Sequence, residues 1–117
     1  MGLTFVEATV TGSAGKLRQV QFLVDSGASY TLLPLDVWQD LGLKPKRKVT
    51  FTLADGTRME RSVSECHISL EGNDGHTPVI LGEADDEPLL GIVTLENLGL
   101  MLDPFKRKLR TMQMRLS

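Results

Sequence analysis

Apolar residues recur along this chain with a period of two, in short and closely spaced segments, which is the pattern of strands with one buried face. Residues 3–10 (LTFVEATV) and 17–24 (LRQVQFLV) are rich in Val, Leu, Phe and Thr. The intervening TGSAGK supplies two glycines and a serine for a turn, so the pair predicts a hairpin. Residues 47–53 (RKVTFTL) alternate strictly, with Val49, Phe51 and Leu53 on one side and Lys48, Thr50 and Thr52 on the other. Asp55-Gly56 then reads as a two-residue hairpin turn in which both positions need φ > 0. The returning arm, 57–70, ends at a second turn over Gly72-Asn73-Asp74-Gly75, and residues 77–81 (TPVIL) make another strand. Helices are predicted over 35–41 (LDVWQDL), with Pro34 as first helical position and Gly42 as C-terminal cap, and over 92–98 (IVTLENL), between Gly91 and Gly99. The tail predicts a strand at 99–103, a break at Pro104 and a last strand at 109–116, with Met112, Met114 and Leu116 on one side. Nearly every connection is short, so the economical arrangement is mostly β: a small closed or sandwiched antiparallel sheet with two short helices.

Composition narrows the class. At 117 residues, with no repeat, linker or low-complexity tract, residues 1–117 form one domain. A hydrophobic fraction of 41% against 24% charged residues fits a soluble globular core. Fifteen acidic and thirteen basic residues leave a net charge of −2, so no global field recruits nucleic acid or an anionic membrane. The basic clusters KPKRK (44–48) and KRKLR (106–110) read as solvated turns. There is no apolar run of about 20 residues to span a bilayer. The first ten residues lack the basic-then-apolar order of a secretory signal, and Val6 breaks a myristoylation pattern. The lone Cys66 has no disulfide partner within the chain, which points to a reducing, cytoplasmic setting.

The segment Phe22-Leu23-Val24-Asp25-Ser26-Gly27-Ala28-Ser29 is where local logic breaks, because a strand that reads as buried ends in a carboxylate. Burying a charge is costly unless it is paired or hydrogen-bonded. Hydroxyls at 26 and 29 and a glycine at 27, which permits a sharp turn or a close approach, surround it. An isolated Asp-Ser-Gly is most often a turn. Here it continues as Ala-Ser, is followed by the Asp55-Gly56 hairpin, and is followed again by Leu89-Leu90-Gly91 leading into a helix.

That order of motifs resembles the aspartic proteases of the retropepsin type, over roughly residues 3–116. The likeness is greatest to the small single-domain retropepsin-like proteins of cellular organisms. The resemblance implies a small closed antiparallel β-barrel of the acid-protease type, with one or two short helices, acting as a two-fold homodimer. It implies catalytic Asp25, Ser26 and Gly27, and substrate-binding Ala28, Ser29, Leu53, Ala54, Asp55, Gly56, Leu90 and Gly91. Aspartic proteolysis uses two carboxylates sharing a proton. Asp-Ser-Gly occurs once in the chain, so each subunit of a two-fold dimer would contribute one Asp25. Ser26 would hydrogen-bond across the axis, and the 53–56 tip would be a flap over the peptide. Ser26 stands where Thr is commoner, Ser29 where viral enzymes often carry Asp, and Ala-Asp-Gly where their flap tip is a run of glycines.

Other chemistries fit less well. Cys66, His67 and His76 lack paired metal-ligand spacing, and adjacent residues of a strand face opposite ways, so neither a metal centre nor a Cys–His dyad is expected. No Gly-x-Ser-x-Gly marks Ser26 or Ser29 as a nucleophile. The acidic run Asp85-Asp86-Glu87 reads as a wet loop, and no cofactor is implied. Two functions stand: an endopeptidase acting on peptide or protein substrates, with pockets drawn from Leu23, Leu32, Leu53 and Ile92, or a protease-like dimerisation or peptide-binding module without turnover. Keeping Asp25, Ser26 and Gly27 together favours the enzyme.

Overall fold

The computed structural model describes residues 3–112. The first hairpin pairs β1 (Phe5–Thr11) with β2 (Leu17–Val24) in antiparallel register, Thr11 opposite Leu17 and Phe5 opposite Leu23. A three-residue strand, β3 (Thr31–Leu33), leads into helix α1 (Leu35–Asp40). Pro34 is the N-cap of α1, in extended conformation, one position before the expected place. A long hairpin follows, β4 (Arg47–Thr52) against β5 (Arg58–Leu70), and β5 turns back into β6 (Asn73–Leu81). The two-residue strand β7 (Leu89–Leu90) runs into α2 (Ile92–Asn97), and β8 (Leu100–Asp103) pairs with β9 (Lys108–Thr111) as a separate ribbon. Of the last predicted strand, the stretch from 113 onward, with Met114 and Leu116, lies outside the described residues.

Seven strands form one sheet in the order β1-β2-β7-β3-β6-β5-β4, and residues 9–11 of β1 pair again with 67–69 of β5. The sheet is mixed rather than antiparallel, because β2 runs parallel to β7 and β3 parallel to β6. The reason is topological. The short β3 and β7 enter the middle of the sheet from the 25–30 and 82–88 loops, so their partners are not their chain neighbours. One core lies within, with Phe22, Leu33, Leu41, Ile68, Leu90 and Leu95 fully buried. Truncating one of these to alanine costs about 2–5 kcal/mol. Helix α2 covers the core by packing on β3, β6 and β8.

Two turns differ from the sequence expectation. Of Asp55 and Gly56, only Gly56 has positive φ, +87°. Leu53 N–H donates to the Thr57 carbonyl at 2.7 Å and Gly56 N–H to the Leu53 carbonyl at 2.9 Å, so the loop has three residues, 54–56. Asp55 Oδ1 instead accepts Thr57 N–H at 2.9 Å, which gives the aspartate a turn-stabilising role. The two-residue turn with both φ positive occurs at Glu71 (50°) and Gly72 (81°), while Asn73, Asp74 and Gly75 already belong to β6. The apolar side of β4 is also wetter than its alternation predicts, with Val49 and Phe51 half-buried and Leu53 43% exposed. β4 lies at the margin of the sheet, paired only with β5, and projects beyond the core.

Candidate active site

β2 carries its inward residues Val20, Phe22 and Val24 to the limit of the core and ends at Asp25. The carboxylate stands where the chain leaves the sheet, partly exposed, and Ser26, Gly27 and Ser29 are open to solvent. The loop closes on itself: Gly27 N–H donates to Asp25 Oδ1 at 2.9 Å and Ala28 N–H to the Asp25 carbonyl at 3.1 Å. A carboxylate oxygen that accepts a neighbouring backbone N–H has its plane fixed before any ligand arrives.

β7 and the start of α2 lock the loop from behind. Asp25 N–H donates to the Leu90 carbonyl at 3.0 Å, Ile92 N–H to the Ala28 carbonyl at 2.9 Å, and Val93 N–H to the Ser29 carbonyl at 3.0 Å. Gly91 N–H reaches Thr31 Oγ1 at 3.0 Å. Leaving N–H groups unpaired at a buried helix start would be unfavourable, and here the 28–31 loop accepts all three. Gly91 passes so close that an added Cβ would lie 2.5 Å from the Tyr30 carbonyl carbon and 2.8 Å from the Ser29 oxygen, so only glycine fits. The structure thus brings Asp25, Ser26, Gly27, Ala28, Ser29, Leu90 and Gly91 into one locus. Leu23 and Leu32 flank Leu89 across β2, β7 and β3, and all three are half-buried, as is Ile92.

Leu53, Ala54, Asp55 and Gly56 stand apart at the tip of the β4–β5 hairpin, where their backbone hydrogen bonds stay inside the hairpin. The hairpin touches the loop nearer its base. The Tyr30 ring meets Phe51 edge-on, with centroids 6.1 Å apart, and the Arg47 guanidinium lies 6.0 Å from the Tyr30 centroid. Tyr30 and the buried Thr31 and Thr94 are parts of this locus that the sequence reading passed over. β3 buries Thr31 and Leu33 on one side, but three residues are too few for that period to show in the sequence.

A cleft of about 530 Å³ lies elsewhere, lined by Lys44, Lys46, Cys66, His67 and His76 among others, and does not include Asp25. Burial, then the neighbouring Glu65 charge, push the Cys66 thiol up to about 12, which removes it as a nucleophile at ordinary pH. His67 Nε2 and Asp74 Oδ2 are 2.7 Å apart, and the His67 and His76 rings meet edge-on at 5.4 Å. Among the described residues, no group of three or more His, Cys, Asp or Glu is placed to hold a metal ion, and no helix is long and apolar enough to cross a membrane.

The Asp25 carboxylate is thus pinned in a Ser-Gly loop, with the Leu89-Leu90-Gly91 segment locked behind it. The chain belongs to the aspartyl protease family, whose model matches residues 6–94. It is an aspartic peptidase, a hydrolase of peptide or protein substrates. Its fold is similar to that of EIAV protease complexed with the inhibitor HBY-793, at 18% identity and a TM-score of 0.64, covering 87% of this chain and 93% of that one. It is also similar to simian foamy virus (mac) protease in solution, at 18% identity and a TM-score of 0.57, covering 80% and 92%. No curated protein matches the sequence.

Proposed function

We propose that the chain is a homodimeric aspartic endopeptidase in which the Asp25 loops of two subunits meet across a two-fold axis. The observation that carries this reading is the single Asp25-Ser26-Gly27 loop, exposed at its outer side and locked behind by Leu90 and Gly91. One carboxylate alone is half of the chemistry. With two, the ionised Asp25 takes a proton from a water molecule, which attacks the scissile carbonyl carbon. The protonated Asp25 donates to the carbonyl oxygen, and the tetrahedral intermediate collapses as a proton passes to the leaving amine. Ser26 would bond across the axis and Ser29 would hold the substrate backbone. The tips formed by Leu53, Ala54, Asp55 and Gly56 would close over an extended peptide and exclude water. Alternate side chains would enter apolar pockets at Leu23, Leu32, Leu53 and Ile92.

Leu3 and Phe5 are 69% and 51% exposed beside Thr4, whose carbonyl accepts Val24 N–H next to the loop. Apolar surface placed there favours burial against a second copy. The second pairing of β1 with β5 supports a closed barrel across a single domain, 1–117. The lone buried thiol supports a reducing, cytoplasmic setting. The test is cleavage of a peptide library at acid pH by the wild type and Asp25→Asn. The amide keeps volume and a hydrogen-bonding oxygen but takes no proton from water, so turnover should vanish while circular dichroism stays unchanged. Turnover near wild type in Asp25→Asn would place the chemistry elsewhere.

A further inference from the structure

Three threonines converge behind the Asp25 loop from three different elements. Thr31 comes from β3, Thr77 from β6 and Thr94 from α2, with exposures of 0%, 2% and 0%. Hydroxyls in an apolar core are unfavourable unless each is bonded. Here Thr31 Oγ1 and Thr94 Oγ1 are 2.6 Å apart, and Thr94 Oγ1 and Thr77 Oγ1 are 2.8 Å apart.

Both ends of the chain are backbone groups. Gly91 N–H has only a proton to give, and it gives it to Thr31 Oγ1. The Pro78 carbonyl has only lone pairs, and it accepts from Thr77 at 3.4 Å. Each hydroxyl has one proton. The Thr77–Pro78 contact is the longest of the set, and in the Thr31–Thr94 and Thr94–Thr77 pairs either oxygen can donate, so the chain is continuous in both senses. Among the described residues no buried side-chain polar atom is left without a partner. A continuous hydrogen-bonded relay therefore runs from Gly91 through Thr31 and Thr94 to Thr77, with Pro78 beyond it.

Its start is the point to which the Asp25 loop is tied. Gly91 lies between Leu90, whose carbonyl accepts Asp25 N–H, and Ile92, whose N–H holds the Ala28 carbonyl. Valine at 94 would fill the same space without a proton to pass on, so space-filling alone does not call for a hydroxyl there. We propose that Thr94 is a positioning residue for peptide hydrolysis: as the centre of this relay it fixes the Leu90-Gly91 corner and, through it, the backbone of Asp25. This rests on the aspartic reading of Asp25 given above.

The test compares Thr94→Val, Thr94→Ser and Thr77→Val with wild type, by peptide kinetics and by amide hydrogen exchange of Gly91 and Asp25. In Thr94→Val, kcat should fall about tenfold with KM within about twofold, the loss expected when a reacting group is displaced rather than removed. The acid limb of its pH–rate profile should move. Both amides should exchange about tenfold faster, since local opening reports the loss of the restraint. Thr94→Ser keeps the hydroxyl and should restore kcat, pH profile and exchange. Equal impairment of the Val and Ser variants would assign the effect to the lost packing and overturn the proposal, as would wild-type kcat and exchange in Thr94→Val. If Thr94→Val does not fold, Thr77→Val decides: faster Gly91 exchange supports the relay and unchanged exchange overturns it. If the wild type cleaves no peptide, the peptidase reading has failed, and amide exchange still decides for or against the relay.

Discussion

A methyl group at position 91 would sit 2.5 Å from the Tyr30 carbonyl carbon, and neither backbone can retreat without breaking the bonds that hold Asp25 and Ala28. Gly91→Ala should therefore lower stability by about 1–3 kcal/mol, the usual cost of overpacking. It should also reduce turnover by a larger factor than the folded fraction explains, measured by urea unfolding beside kinetics at matched folded concentration. Cys66 illustrates burial acting on a titrating group. Burial comes first and the Glu65 charge second in raising its thiol from 9.0 to about 12, so the folded chain holds that proton more tightly than the unfolded one. The resulting stabilisation is whole below pH 9.0 and is lost as pH rises toward about 12. Iodoacetamide at pH 8 (an assay condition set roughly one unit below the ordinary thiol value) should label the native protein only as fast as it unfolds. Rapid labelling of folded protein would mean that the thiol is accessible. Both residues were visible in the sequence, but what surrounds them was not: a Leu-Leu-Gly triplet does not reveal which backbone it will touch.

At the scale of elements, legibility followed length and alternation. β2 matches its predicted span, and β1, β4 and both helices fall within a residue or two at each end, because each carries an apolar periodicity that local sequence displays. β3 and β7 have three and two residues, too few for a period to register, and they exist because partners distant in sequence pair with them. The parallel pairings those strands create were lost with them. The Asp55-Gly56 signal located a hairpin correctly and its turn type wrongly, since Asp55 spends its carboxylate on Thr57 instead of adopting positive φ. Hydrogen bonds from Thr57, side chain first and then backbone, hold the Asp55 carboxyl below its ordinary range. That restraint is present above the ordinary carboxylate value and fades only as pH falls through the lowered one, so the tip stays ordered in mild acid. Gly56, at φ +87°, has open space around it, so a side chain there meets strain and no clash. Gly56→Val should cost about 1–2 kcal/mol for the left-handed conformation. If the hairpin is a lid, cleavage should fall far more than the melting temperature does. Proportional losses would make it a structural ribbon.

At the scale of the whole molecule, the Asp25 loop is open to solvent on its outer side, where the proposed dimer would place the second copy. Sequence made the arithmetic behind that dimer plain, since one Asp-Ser-Gly per chain cannot supply two carboxylates. In the proposed dimer two Asp25 groups face each other, and like charges a few ångström apart cannot both stay ionised without strong repulsion. A shared proton removes the repulsion, so association takes up a proton. By linkage, the stabilisation from that proton is present at low pH and is lost as pH rises and the proton leaves. The dimer should be tighter in mild acid than at neutral pH, and hydrolysis should peak on the acid side. Asp25→Asn removes the charges and should make dimerisation nearly independent of pH, holding better than wild type at neutral pH. Ser26→Ala should weaken the dimer at every pH by a similar amount, about 0.5–1.5 kcal/mol per subunit for a lost hydrogen bond. Sedimentation of the three proteins across pH 4–8 (a window roughly spanning the titration of a coupled carboxylate pair) separates the two effects: Asp25→Asn changes the slope against pH, Ser26→Ala the level. Superimposable pH profiles for wild type and Asp25→Asn would mean that the two carboxylates do not meet.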